Sequence, residues 1–118
     1  MINWMGSRRA GRIGSVKMTG TSSQIEWAEL IKPRIWAEFD RVANAFNIAA
    51  SHQAEQDRLD TVAIIAILEE KRLEVMANDE AGYFIKRWRE LSDQVRQLIA
   101  QDSRYQAIKA KRLDRKRP

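Results

Sequence analysis

The chain has 118 residues, 44% of them hydrophobic and 31% charged, with a formal net charge of +5, one histidine and no cysteine. That length suits one domain with a core of its own. Without thiols there is no disulfide framework, cysteine nucleophile or cysteine-based metal site. His52 sits among Ala50, Ser51, Gln53 and Ala54 with no ligand-spaced partner, and the longest apolar run, VAIIAIL at 62–68, falls far short of the roughly 20 residues that span a bilayer. No cofactor, no metal, no membrane contact and a cytoplasmic location are therefore expected.

The charge is unevenly spread. Arg8, Arg9, Arg12 and Lys17 stand among the first 17 residues without an acid, and Lys109, Lys111, Arg112, Arg115, Lys116 and Arg117 face only Asp114 in 109–118. The segment between them, 18–108, holds 11 basic and 15 acidic residues. A mildly acidic body with two basic ends is the expectation, so any phosphate contact should be made by the ends. The domain plan is a flexible basic arm at 1–22, a helical body at 23–108 and a basic tail at 109–118.

Residues 1–22 hold four of the five glycines and show no period, as in a flexible arm. Two other readings are compatible: an extension upstream of a true start at Met18, and an Arg-rich targeting peptide whose helix Gly6, Gly11 and Gly14 interrupt. Ser23-Gln24-Ile25-Glu26 has the spacing of a capping box. A short helix at 24–31 should follow. Pro33, lacking an N–H, should kink or restart it. A second stretch from Pro33 then carries Ile35, Phe39, Val42, Phe46 and Ala49 in steps of 4, 3, 4, 3, an amphipathic face. Arg34 and Glu38 make an i,i+4 pair on the wet side.

SHQAEQDRLD at 51–60 is either a polar connection or a helical extension. Asp60 is a candidate cap for VAIIAILEEKRLEVMA, whose length and Leu/Glu/Lys/Arg content favour helix over strand. Its first turns are apolar all round. A three-helix bundle covers one face of each helix, so Ile64, Ile67 and Leu68 are expected at a contact with a second copy or another helical partner. Glu69 and Arg72, at i,i+3, are placed to pair at that contact.

The stretch GYFIKRWREL at 82–91 interleaves rings and cations in the manner of a single-strand nucleic-acid groove. On a helical wheel the resemblance dissolves. Phe84, Trp88, Leu91, Val95 and Leu98 fall within about 40° of one line, and Lys86, Arg89 and Arg96 lie about 120–200° away. Core packing is the better reading. Gly82 weakens the first turn, or permits close backbone approach. MANDEAG at 76–82 offers a turn for a helix–turn–helix, but Glu80, Glu90 and Asp93 share the following helix. Asp102-Ser103 should end it, with Tyr105 and Ile108 packing back.

The acids lie mostly on polar faces, and no phosphate loop, serine elbow, zinc spacing or Glu-x-x-His pair occurs. The chain is expected not to be an enzyme. The fold class is all-α: an antiparallel three-helix bundle, coiled-coil-like, with helices near 33–51, 61–77 and 80–101 and a short kinked helix before them. The function is expected to be that of a non-catalytic helical interaction module that self-associates. The alternative is a small nucleic-acid-associated protein whose basic ends grip phosphates.

Overall fold

A computed structural model describes residues 17–116, except the side chain of Ser92. It is all-helical: α1 (Ser22–Ala50), α2 (Glu55–Met76), α3 (Ala81–Arg87), α4 (Leu91–Ala100) and α5 (Ser103–Lys116), with no strand among the described residues. Helix α1 packs against α2, α3 and α4, while α2 also meets α4 and α5. Arg8, Arg9, Arg12 and Arg117 lie outside the described residues.

Helix α1 is capped two residues earlier than expected. Thr21 is the N-cap: its hydroxyl accepts from the Gln24 N–H at 3.1 Å, and the Thr21 N–H donates to Gln24 Oε1 at 3.0 Å. The box is built by Thr21 and Gln24, not by Ser23 and Glu26, because a glutamine carbonyl answers the cap N–H as well as a carboxylate does. Residues 18–21, expected in the arm, pack on the body. Met18 is buried, the Thr19 N–H donates to Asp79 O at 2.7 Å, and the Ala81 N–H donates to Thr19 O at 3.0 Å. Gly20 turns the chain from this bridge into α1 at φ +141, where a Cβ would also meet Gln24 Oε1 at 3.0 Å and Ala81 Cβ at 3.2 Å.

Pro33 does not restart α1, which runs through it. A mid-helix proline costs about 3 kcal/mol and leaves one carbonyl, here that of Glu29, without its helical donor. Burial of Ala28 before it and Ile35 and Phe39 after it, each fully covered, offsets that cost by packing both halves into the same core. Glu38 pairs with Arg41, not with Arg34.

The third expected helix is two helices. Trp88, at φ −109 and ψ 41, ends α3, and Glu90 caps α4. The break redirects the chain: α3 lies on α1, whereas α4 lies on both α1 and α2. Phe84, Trp88, Val95 and Ile99 all stay in the core, with the Phe39 and Trp88 rings 6.1 Å apart. Phe46 and Leu91, expected in the core, are half-buried at its margin. No Cβ-sized neighbour lies within 4 Å of Gly82, so close approach is not its role.

Residues 109–116, expected as tail, form the last turns of α5. Asp60 is an interior residue of α2, which begins at Glu55 because the polar stretch 55–60 continues the helix.

Candidate interaction surfaces

Helix α2 contains the first correction at a candidate site. Ile64, Ile67 and Leu68 are all buried within the chain. These three side chains are covered by α1 on one side and by α4 and α5 on others, while Val62 and Ala66 of the same run stay exposed. Arg72 is buried beside them, its guanidinium 4.2 Å from the Trp36 ring centre and 2.7 Å from Asp40. It also binds Glu69. The Glu69–Arg72 pair is thus part of the α1–α2 seam, where cation–π stacking and two carboxylates offset the cost of burying the charge.

The side of α2 turned from the core carries a different apolar set. Leu59, Val62, Ala66 and Leu73 fall within about 60° of one another on the helix, and Leu59 and Val62 are each 54% exposed and Leu73 60% exposed. Beside them a groove of about 460 Å³ opens between α2 and α5, floored by Ala63, Ala66, Ile67 and Ala107 and edged by Glu70 and Lys111. This stripe was in the sequence, at steps of 3, 4 and 7, and shares Val62 and Ala66 with the run at 62–68.

Helix α5 is held by charge. It buries no residue; Tyr105 and Ile108 are half-buried against the core. At its start Arg104 binds Asp102 and Glu70, and Lys71 binds Asp102 at 3.2 Å. At its end Arg115 binds Asp57 at 2.8 Å and also Asp60. Arg112 reaches beneath, donating to the Asp57 carbonyl at 2.7 Å and to Thr61 Oγ1 at 2.8 Å. Hydrogen bonds from Arg104 hold the carboxyl of Asp102 well below the usual carboxylate range and lower that of Glu70, while Arg115 lowers that of Asp60.

The basic end is therefore divided. Arg112 and Arg115 are engaged with α2, whereas Lys109, Lys111 and Lys116 make no ion pair with another described residue. Lys109 stands over the Tyr105 ring at 5.7 Å. Lys86, Arg87 and Arg89 are exposed where α3 ends. The turn at 76–82 joins α2 to α3, and α3 packs on α1 and not on α2, so these two helices do not build the compact two-helix unit of a DNA reader. Among the described residues no helix is long and apolar enough to cross a membrane, and no group of three or more His, Cys, Asp or Glu side chains is placed to hold a metal. Compared with protein families, curated proteins and solved structures, the chain matches none.

Proposed function

We propose that the protein is a non-catalytic helical interaction module that associates with itself through the outer face of α2, its helices forming the antiparallel, coiled-coil-like arrangement expected from the sequence. The exposed stripe of Leu59, Val62, Ala66 and Leu73 carries this reading. Large apolar side chains gathered on one helix face are unusual on a monomer's surface. The body is also thin, with extents of 59 × 33 × 17 Å, which leaves α2 open on one side. Leu59 and Leu73 are equidistant from Ala66. Two α2 helices crossing head to tail about a two-fold axis at Ala66 bring each Leu59 against the other copy's Leu73, with alanines where the backbones come closest.

Sedimentation velocity at tens of micromolar tests this. A dimer is expected for the parent and a folded monomer for Leu59→Glu/Leu73→Glu. A monomeric parent removes the reading.

A second reading, sequence-tolerant binding of nucleic-acid phosphates, draws on the unpaired Lys109, Lys111 and Lys116. Each phosphate contact adds about −0.9 to the slope of log affinity against log salt on duplex DNA. With Arg112 and Arg115 already paired, the described part of α5 supplies at most about three such contacts. A slope steeper than three lysines allow, lost on mutating Lys86, Arg87 and Arg89, would move the binding surface to the end of α3.

A further inference from the structure

On the side of α5 away from the α2 stripe lies a second groove, about 230 Å³, floored by Phe46, Ile64 and Leu113 and edged by Lys109, Arg112 and Lys116, with Tyr105 as a wall. Leu113 is 63% exposed, and on the helix it lies between Lys109 and Lys116. The volume is below the ~300–1,000 Å³ of ordinary ligand pockets, so it suits one inserted side chain, not a whole cofactor.

We propose that this groove is a docking site for an acidic amphipathic helix of a partner protein, which inserts one large apolar side chain between two carboxylates. The charge pattern selects that occupant. Lys109 and Lys116 are seven residues apart, about 10 Å along α5 and on the same side of it. Neither makes an ion pair with another described residue, although Lys109 also stands over the Tyr105 ring. The matching ligand is a helix with glutamates at i and i+7 and a Phe or Leu anchor at i+3 or i+4, the spacing of helix-in-groove recognition. Arg112 contributes less, because Asp57 and Asp60 already lie 3.8 and 3.6 Å from its Nε. The apolar floor of Phe46, Ile64 and Leu113 between the lysines favours an inserted apolar side chain over a strand of phosphates. The half-buried state of Phe46 follows from the same geometry: its ring is the floor that the anchor would cover.

The probe is a fluorescently labelled helical peptide with two glutamates seven residues apart around a central Phe, titrated into the full chain and followed by anisotropy. Saturable binding is expected, weakening as salt rises. Lys109→Glu/Lys116→Glu should weaken it at least about tenfold with unchanged helical content. A peptide with lysines in place of the glutamates should regain affinity for that variant, and an alanine in place of the Phe should abolish binding to the parent. Failure of the matched peptide to bind at millimolar concentration overturns the proposal. So does equal competition by a single-stranded oligonucleotide, which would make the edge a phosphate site. The α2 reading is independent: Leu59→Glu/Leu73→Glu should bind the peptide as the parent does.

Discussion

The seam of α1 with α3 and α4 and the seam of α2 with α5 are built by opposite means. The first is apolar: Phe39, Phe84, Trp88, Val95 and Ile99 are each at most 4% exposed. The second holds a helix that buries nothing and is pinned at both ends by arginines on aspartates and a glutamate. Apolar packing is indifferent to salt and pH, whereas exposed ion pairs yield about 0–1 kcal/mol each and are screened. One chain therefore combines a permanent core with a helix whose attachment responds to its surroundings.

The largest effect should come from the apolar seam. Phe39→Ala should cost about 3–5 kcal/mol, the range for large aromatic truncations, a large part of a small domain's stability. Trp88→Ala should cost a similar amount. Trp88→Phe should cost much less, since the Trp88 indole N–H is buried with no hydrogen-bond partner and its removal relieves that burial. Denaturant melts of the three variants measure this, and a Trp88→Ala midpoint equal to the parent's would dissolve the distinction between the seams.

On the ionic seam the expected change is local. Amides of α5 should exchange with deuterium faster than those of α1, and faster still at 1 M salt, where the Debye length shrinks to about 3 Å. Arg112→Ala/Arg115→Ala should reproduce the high-salt pattern at low salt. Acid should act on the same helix. Asp60, Glu70 and Asp102 have folded pKa values below their ordinary ones, so their stabilisation is complete above the unfolded carboxylate range, about 4, and is lost as pH falls through the lower folded values. Protection factors in α5, corrected for the intrinsic slowing of exchange in acid, should fall below about pH 4 while those of α1 hold.

The smallest expected effect is a gain. Gly82→Ala meets empty space and removes a flexible residue from α3, so it should stabilise by about 0.5 kcal/mol.

The all-helical class and most of the core were legible, because period-3.6 stripes announce which side chains face inward. Phe39, Phe84, Trp88 and Val95 are found where their spacing puts them. The break at Trp88 was not legible: the stripe from Phe84 to Leu98 reads straight through it, and only the need to reach α2 bends the chain there. Pro33 misled in the other direction, since its local cost is visible in sequence and the tertiary burial on both sides of it is not. The basic end had the clearest composition and the least accurate reading. A row of cations shows no preference between solvent and partner until Asp57 and Asp60 are seen opposite Arg112 and Arg115. For the candidate site, the run at 62–68 drew attention to Ile64 and Ile67. The weaker stripe at Leu59, Val62 and Leu73 is the one that remains outside.

The bridge of Thr19 to Glu80 fixes Lys17 beside the far end of α2, past Met76. Arg115 ties Lys116 to the near end, at Asp57 and Asp60. Nineteen residues of α2 separate Asp57 from Met76, about 29 Å of helix. Lys17 and Lys116 are thus held at opposite ends of an acidic helix. Nothing shorter than that helix can touch both at once, and a polyanion bridging them would have to pass the carboxylates between.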